Sequence, residues 1–257
     1  MASHFVRWMC NPETLSGTLT LPQEIVEDAR LLTDKRRDRF LSARLLLAEL
    51  LHRVYGIVAL PALTTTANGR PCFADPDLPD FSIAYAGNLV GILLAEEGER
   101  AGLDMEIVRA HSRQAQETLL LGLSPAEKTW INAQQDFMEA VTQICTLRQS
   151  VLKLTGETEY DEDSLRLHPA YGRLRSARYP DVQAICDTEP TLVWSCALSP
   201  SAERLHLWEI DRYDEWQILR EIELNKPNIG PRALRLTSLS GERGVAPQER
   251  SRQQADR

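Results

Sequence analysis

The sequence predicts an α+β protein with two similar lobes, in which each lobe packs one long helix on a small antiparallel sheet. Two observations predict this fold. A helical pattern followed by short apolar runs occurs within residues 1–108, and the same order occurs again within residues 109–215. With 257 residues and 43% hydrophobic content, the chain is long enough and apolar enough to bury two moderate cores.

The first half begins with a predicted helix from Thr33 to Tyr55, where apolar residues recur at intervals of three and four. Gly56 is suited to end this helix. Two apolar runs at 81–86 and 89–95 are separated by a Gly-Asn pair, which predicts a tight hairpin. A third run at 101–108 follows, so we expect the three runs to form one antiparallel meander.

The second half repeats this order. A capping-box pattern at Ser124 and Glu127 predicts a short helix, and an apolar stripe predicts a long helix from about Asp136 to Thr155. Strand-like runs follow at 164–167, 174–178, 182–186, 192–198 and 205–210. Apolar periodicity then ends, so residues 226–257 are predicted to be a disordered tail.

Composition excludes several classes of function. A net charge of -8 argues against general nucleic-acid binding, which needs a basic surface. No apolar run approaches the roughly 18 residues of a membrane helix, and the first residues do not form a secretory signal, so we expect a cytoplasmic protein. The cysteines form no close pair and the five histidines are scattered. A metal bound here would therefore be a hard cation held by oxygen ligands.

The strongest candidate for such a site is the segment Gly102-Leu103-Asp104-Met105-Glu106. On a strand, its two carboxylates lie on one face about 6 to 7 Å apart, and the apolar residues lie on the other face. Mg²⁺ accepts one or two carboxylates together with water and phosphate oxygens. An acid-x-acid strand is more often a solvated outer face, so this motif needs partners.

Three other segments are candidate partners. On the second long helix, Gln149 and Lys153 project together from a polar stripe, although an ordinary exposed face has the same pattern. Near the start of the first long helix, Arg37 and Arg44 share one face of a basic cluster that suits a multiply charged anion. A salt-bridged helix start is the alternative. A turn at 68–71 presents a third guanidinium, that of Arg70.

The order of these segments resembles the Sfp-type phosphopantetheinyl transferases over roughly residues 30 to 210, and is most similar to the enterobacterial holo-acyl carrier protein synthase branch. Residues 102–106 match the Gly-x-Asp-x-Glu motif of that family in full. Residues 145–153 align with its Trp-Thr-x-Lys-Glu-Ala-x-x-Lys helix signature, in which Thr146, Arg148 and Lys153 fit. Gly-Arg-Pro at 69–71 corresponds to the Gly-Lys-Pro turn of the family.

The chain departs from the family at two places. Gln149 stands where the family has a glutamate that helps to bind Mg²⁺ and is thought to deprotonate the carrier serine. An amide oxygen ligates weakly and cannot act as a base at neutral pH. Ala84-Tyr85 stands where the family has a Ser-His pair that contacts the nucleotide phosphates.

The resemblance implies two lobes related by pseudo-two-fold symmetry, with the site between them in a monomer. It implies transfer of the 4'-phosphopantetheine arm of coenzyme A to a serine of an apo acyl or peptidyl carrier protein, with release of adenosine 3',5'-bisphosphate. Because of Gln149, the alternative is a non-catalytic protein that binds coenzyme A or a carrier protein. No motif specifies the carrier or its pathway.

The resemblance also implies roles for individual residues. Asp104 and Glu106 would bind Mg²⁺, Lys153 would contact a phosphate oxygen, and Glu106 or a metal-bound water would replace Gln149 as the base. The residues implied to bind coenzyme A are Arg37, Arg39, Arg44, Arg70, Pro71, Tyr85, Arg148 and Lys153.

Overall fold

The computed structural model describes residues 2–10, 21–110, 112–157, 164–210, 215–226 and 233–238. The helices in these ranges are α1 Gln23–Arg30, α2 Asp34–Tyr55, α3 Arg113–Leu121, α4 Pro125–Asn132 and α5 Phe137–Thr155. Both predicted long helices are confirmed, as α2 and α5. Gly56 and Gly156 end them in the left-handed conformation, which glycine adopts without steric cost. The capping box at Ser124 and Glu127 is also present, at the start of α4.

The strands of the described ranges build two large sheets and one small one. The strands are β1 Ser3–Met9, β2 Leu63–Thr65, β3 Pro71–Phe73, β4 Phe81–Ala86, β5 Leu89–Leu94, β6 Arg100–Ile107, β7 Leu165–His168, β8 Arg173–Ser176, β9 Gln183–Thr188, β10 Leu192–Ser199, β11 Arg204–Ile210, β12 Trp216–Glu223 and β13 Leu234–Thr237. Sheet I has the order β12-β11-β1-β5-β4, and sheet II has the order β6-β10-β9-β13-β8-β7. Strands β2 and β3 pair with each other.

The two large sheets pack face to face, with helices on their outer faces. Phe5 of β1 and Trp194 of β10 meet between the sheets, with ring centroids 5.0 Å apart. The neighbours of these residues along each strand point outward, since side chains alternate across a strand. Val6 therefore packs with α2, and Val193 packs with α5. This arrangement is an α+β fold in which α2 and α5 each cover one sheet.

The predicted meander of the first half is wrong in its third strand. The hairpin of β4 and β5 is confirmed in sheet I, but β6 pairs with β10 and belongs to sheet II. In return, β11 of the second half pairs in parallel with β1 in sheet I. The division into lobes at residue 108 stays a prediction, and the sheets exchange strands across it.

Side chains connect the neighbouring edges of the two sheets, where β4 lies beside β6. The backbone N–H of Leu103 donates to Ser82 Oγ at 2.9 Å, and the N–H of Ala101 donates to Asp80 Oδ2 at 2.9 Å. Arg70 Nη2 donates to Asp80 Oδ2 at 2.7 Å and to the carbonyl oxygen of Ala101 at 2.8 Å. These bonds satisfy edge groups of β6 and hold that strand in place next to β4.

The prediction of a disordered tail at residues 226–257 is wrong for residues 234–237. Leu234–Thr237 forms β13, which pairs with β9 inside sheet II. Leu236 is buried in the core beneath α5, which explains why this short segment is ordered. The rest of the predicted tail, residues 227–232 and 239–257, lies outside the described residues. In the parts of the chain that are described, no helix is both long and apolar enough to cross a bilayer.

We expect His4 to make stability fall in acid. His4 Nδ1 accepts a hydrogen bond from Trp208 Nε1 at 3.1 Å, so the folded state needs a neutral imidazole. Burial, and next the nearby His206, lower the pKa of His4 from 6.5 to about 4. The unfolded chain therefore binds more protons between these values, and the free energy of unfolding should decrease as the pH falls from 6.5 to 4.

Urea titrations at several pH values would measure this effect. One such group contributes at most about 1.4 kcal/mol per pH unit. The His4→Gln variant should lose that part of the slope, whereas His52→Gln, at an exposed histidine on α2, should keep it. Equal slopes in the wild type and in His4→Gln would contradict this assignment.

Candidate functional site

A cleft of about 410 Å³ lies where the two long helices meet the turn at 68–71 and strand β4. Its lining residues are Phe40, Arg44, Asn68, Gly69, Arg70, Pro71, Ser82, Ile83, Tyr85, Leu152, Lys153, Gly156 and Glu157. The cleft therefore brings together segments that sequence analysis selected separately. Its walls are largely apolar and carry a few cations, as is usual for small-molecule sites.

The turn at 68–71 is held against the end of α5. Gly69 has a φ of 77°, which suits glycine, and the Asn68 side-chain amide donates to the carbonyl oxygen of Gly156. The backbone N–H of Thr66 donates to the carbonyl oxygen of Arg70 at 2.8 Å and closes the turn. These bonds fix Arg70 and Pro71 opposite the end of α5, where they form one wall of the cleft.

Gly102 allows α5 to approach β6 closely. A Cβ atom at this position would overlap the carbonyl oxygen of Ser150 and would lie 2.7 Å from the backbone nitrogen of Leu154. No side chain larger than hydrogen fits between strand and helix at this point. The glycine of the Gly-x-Asp-x-Glu motif thus sets the distance between the acidic strand and the helix that carries Lys153.

Asp104 and Lys153 form the ion pair that joins the acidic strand to the cleft. Lys153 Nζ donates to Asp104 Oδ1 at 2.7 Å and to the carbonyl oxygen of Leu103 at 2.9 Å. Asp104 is only 7% exposed. Burial raises the pKa of its carboxyl group, and the Lys153 ammonium partly opposes this rise. The sequence-based prediction that β6 turns Asp104 away from Leu103 and Met105 is correct, since both apolar residues lie between the sheets.

Glu106 is the more accessible carboxylate of the pair. It is exposed, yet partial burial raises the pKa of its carboxyl group, and the negative charge of Asp104 raises it further. Lys153 and Arg109 oppose this rise. Because the charge of Asp104 opposes the ionisation of Glu106, an added cation would be stabilising at this place.

The predicted metal ligands fit a hard divalent cation. Asp104 Oδ2 is buried, and no group in the described part of the chain hydrogen-bonds to it, so a lone pair is available for a cation. Carboxylates from Asp104 and Glu106 match the ligand number that Mg²⁺ takes from proteins before water and phosphate complete the shell. Within the described ranges, no three His, Cys, Asp or Glu side chains group together for metal binding.

Gln149 lies on α5 between Cys145 and Lys153, one turn from each. Both neighbours face the acid pair. Lys153 donates a hydrogen bond to Asp104. Burial raises the pKa of the Cys145 thiol, and the nearby charges of Glu106 and Asp104 contribute to that rise. The Gln149 side chain is exposed. The structure thus places an amide on the part of the helix where the family resemblance expects a third carboxylate.

Arg44 and Tyr85 are the predicted nucleotide ligands that line the cleft from α2 and β4. The Arg44 guanidinium stacks on Phe40, with its central carbon 3.3 Å from the ring centroid. Burial lowers the pKa of Arg44 and raises that of Tyr85, and each partly offsets the shift of the other. Arg39 lies beside Tyr85 and donates to the carbonyl oxygen of Gly87.

Three other predicted arginine ligands have protein partners. Arg37 donates to the carbonyl oxygen of Ala29 in the last turn of α1 and to that of Leu32 just after it, and it does not line the cleft. Its pairing with Arg44 on one ligand stays a prediction, which these contacts do not support. Arg148 is buried, 3.1 Å from the Glu127 carboxylate, so it supports α4, and it is not among the residues that line the cleft. Arg70 lines the cleft, but its Nη2 is bound to Asp80 and β6.

Sequence reasoning missed several residues of this region. Phe40 was not among the predicted site residues, but it lines the cleft beneath Arg44. Leu152 and Glu157 also line it, and Asp80 holds Arg70. No local pattern marks Asp80, because its importance comes from the meeting of β4 and β6. The alternation of β4 could have indicated Ile83, since it shares a face with Tyr85.

The sequence of this chain is similar to those of several known proteins. No family model matches it. It is 42% identical over 252 residues to "Uncharacterized protein YieE" of Escherichia coli K12, covering 96% of this chain and 100% of that protein. It is 29% identical over 177 residues to "Putative 4'-phosphopantetheinyl transferase" of Haemophilus influenzae, covering 66% of this chain and 73% of the relative.

A third relative is "4'-phosphopantetheinyl transferase AcpT" of Escherichia coli K12, which is 30% identical over 125 residues and is matched over 47% of this chain and 59% of its own length. The full-length match shows the family of the chain, and the partial matches are to proteins named as 4'-phosphopantetheinyl transferases. The chain belongs to the family of YieE, and its similarity to the two named transferases supports a place in the 4'-phosphopantetheinyl transferase superfamily.

Proposed function

We propose that this protein transfers the 4'-phosphopantetheine arm of coenzyme A to a serine of an apo carrier protein, with Mg²⁺ bound at Asp104 and Glu106. The observation that carries the proposal is the position of Lys153, which lines the cleft and contacts Asp104 at 2.7 Å. A pyrophosphate in the cleft would thereby lie next to the acid pair. The named transferases among the relatives support the same reaction.

In this proposal the serine hydroxyl attacks the β-phosphorus of coenzyme A. The bond from the β-phosphorus to the oxygen that bridges it to the α-phosphate breaks, and adenosine 3',5'-bisphosphate leaves with that oxygen. Such a reaction depends mainly on positioning and on charge stabilisation. Bound Mg²⁺ would supply charge neutralisation at the pyrophosphate. Lys153 would donate to a phosphate oxygen, and the buried carboxylate of Asp104 would hold Lys153 in that position.

Other residues of the cleft would bind the rest of the nucleotide. Arg44 and Tyr85 offer a guanidinium and a hydroxyl to phosphate oxygens, and Phe40 and Pro71 offer apolar surface. Arg70 would act mainly as a wall of the cleft, since it is held by Asp80. One chain supplies all of these residues, so the proposal requires no second copy and is consistent with a monomer.

The proton of the serine hydroxyl needs an acceptor, and Gln149 cannot serve. An amide has no basic site near neutral pH. Burial and Asp104 raise the pKa of the Glu106 carboxyl group, and Mg²⁺ bound there would oppose this rise. Either the exposed Glu106 or a metal-bound water would therefore accept the proton.

A non-catalytic binding protein is the second candidate function. The observation that favours it is the amide of Gln149, together with the lack of a third acid beside Asp104 and Glu106 in the described residues. Such a protein would bind coenzyme A or a carrier protein in the same cleft, and it would not transfer the arm.

Mass spectrometry separates these candidates. The purified protein is mixed with coenzyme A, Mg²⁺ and a panel of apo carrier proteins, and each carrier is examined for the mass of the added arm. The proposal predicts modification of at least one carrier, and omission of Mg²⁺ should abolish it. Coenzyme A binding without modification of any carrier would favour the binding protein. Binding of neither coenzyme A nor a carrier protein would reject both candidate functions.

The Gln149→Glu variant is expected to bind Mg²⁺ roughly tenfold more tightly in the presence of coenzyme A, because a third carboxylate joins the acid pair. Isothermal titration calorimetry would measure the affinity, and the transfer rate should rise as well. Gln135→Glu adds the same charge at an exposed position before α5 and should change neither quantity. Unchanged Mg²⁺ affinity in Gln149→Glu would place Gln149 away from the metal.

A further inference from the structure

We propose that Lys153 acts as an internal competitor of the metal: in the free protein its ammonium neutralises Asp104 and lowers the affinity of the acid pair for a divalent cation. The inference rests on the proposed function for the identity of the cation and the nucleotide. It adds a dependence between the two ligands, because a phosphate bound to Lys153 would offset the charge of the ammonium and would restore the attraction of Asp104 for the cation.

The geometry of Lys153 supports this role. Its Nζ makes two hydrogen bonds to described residues, one to Asp104 Oδ1 at 2.7 Å and one to the carbonyl oxygen of Leu103 at 2.9 Å. An ammonium has three N–H donors, so one further donor is available to a ligand. The Lys153 side chain is 36% exposed and lines the cleft, whereas the Asp104 side chain is 11% exposed. The lysine can therefore contact a cleft ligand from the atom that neutralises the aspartate.

The balance of charge around the acid pair gives the sign of the effect. Asp104 and Glu106 are the acids, and Lys153 and Arg109 are the cations that act on Glu106. With Lys153 in contact, the pair and its lysine together carry one negative charge, and a divalent cation is attracted less than by two carboxylates. Lys153 contacts Asp104 Oδ1, and no described residue hydrogen-bonds to the buried Oδ2. A cation at Oδ2 would therefore compete with the lysine for the charge of one carboxylate.

A phosphate group in the cleft changes this balance. Its negative charge pairs with the Lys153 ammonium, so that the negative potential at Asp104 is restored for a cation. Cation and nucleotide should therefore bind cooperatively, and each should raise the affinity of the other by the same factor. A lysine that only stabilised the fold would alter the melting temperature and would leave this coupling unchanged.

The test measures Mn²⁺ binding without nucleotide, by electron paramagnetic resonance of free Mn²⁺, for the wild type, Lys153→Gln and Lys153→Arg. We expect Lys153→Gln to bind Mn²⁺ about tenfold more tightly than the wild type, because a neutral amide replaces the ammonium. Lys153→Arg keeps the charge and should bind as the wild type does. Adding Asp104→Asn to Lys153→Gln should remove the gain, which identifies the site.

The same titrations with saturating coenzyme A measure the coupling. The wild type should gain more Mn²⁺ affinity from coenzyme A than Lys153→Gln does. Two results would overturn the inference. One is Mn²⁺ binding by Lys153→Gln, without nucleotide, that is unchanged or weaker than in the wild type. The other is an increase in Mn²⁺ affinity in Lys153→Arg as large as that in Lys153→Gln. If Lys153→Gln does not fold by circular dichroism, Lys153→Met is measured in its place, with the same expected result.

These outcomes distinguish the inference from the proposed function. If Lys153→Gln binds Mn²⁺ more tightly but coenzyme A binds neither protein, the competition at Asp104 is supported and the proposed function is rejected. If coenzyme A binds and carriers are modified while Mn²⁺ affinity is the same in both proteins, the proposed function is supported and the inference is rejected.

Discussion

Replacement of Asp104 by alanine is expected to lower the rate of phosphopantetheine transfer by about a thousandfold. The substitution removes the buried carboxylate that holds Lys153 at 2.7 Å and whose Oδ2, to which no described residue hydrogen-bonds, is available to a cation. Glu106 alone would then bind the metal, and Lys153 would lose the contact that directs it along the cleft. The rate is measured by mass spectrometry on a carrier that the wild type modifies.

Two variants control this experiment. Asp104→Asn keeps the shape of the side chain and removes its charge, so it should lose nearly as much activity as Asp104→Ala. Asp77→Ala removes a carboxylate from an exposed position and should keep full activity. Circular dichroism shows whether each variant is folded. Activity of folded Asp104→Ala within threefold of the wild type would show that the metal assignment is wrong.

Among substitutions of a glycine by alanine, Gly102→Ala is expected to lower the free energy of unfolding the most, by about 3 kcal/mol or more. The added methyl group would overlap the carbonyl oxygen of Ser150 and would lie 2.8 Å from Leu154 Cβ. Neither atom can move without shifting the backbone of α5. The shift would also lengthen the contact between Lys153 and Asp104, so activity should fall together with stability.

Urea denaturation followed by tryptophan fluorescence would measure the loss. Gly122→Ala is the matched control, since a methyl group there meets open space and the backbone φ of -83° is ordinary for alanine. We expect that variant to remain within about 1 kcal/mol of the wild type. Equal stabilities of the two glycine variants would mean that β6 and α5 are not as close as described.

Local patterns in the sequence predicted the long helices, their ends and the two faces of β6. The spacing of apolar residues gave both long helices, and the alternation of β6 placed Asp104 opposite the core. Glycines at 56 and 156 ended the helices where the patterns ended. In each case, residues close in the chain determine the result.

Strand pairing was not predictable in the same way. The third run of the first half has the pattern of a meander strand, yet β6 pairs with β10, about ninety positions later. Strand β1 was missed, although it is central in sheet I and pairs with both β5 and β11. Such pairings depend on which sheet edges meet after folding, which an alternating pattern does not encode.

The candidate site shows the same division. The acid pair and Lys153 were predicted from spacing within a strand and a helix, and the structure brings Asp104 and Lys153 together. The arginines were less predictable, since a basic residue looks the same in sequence whatever its partner. Arg44 faces the cleft, whereas Arg37 binds the end of α1 and Arg148 pairs with Glu127. Only the tertiary structure distinguishes a ligand-binding arginine from one that stabilises the fold.

A crystal structure of the protein with coenzyme A and Mn²⁺ would test the central claim most directly. The account predicts an anomalous difference peak bound by carboxylate oxygens of both Asp104 and Glu106, with the pyrophosphate in the cleft and an oxygen of it within hydrogen-bonding distance of Lys153 Nζ. Coenzyme A bound outside the cleft, or a cation bound away from both carboxylates, would contradict the account.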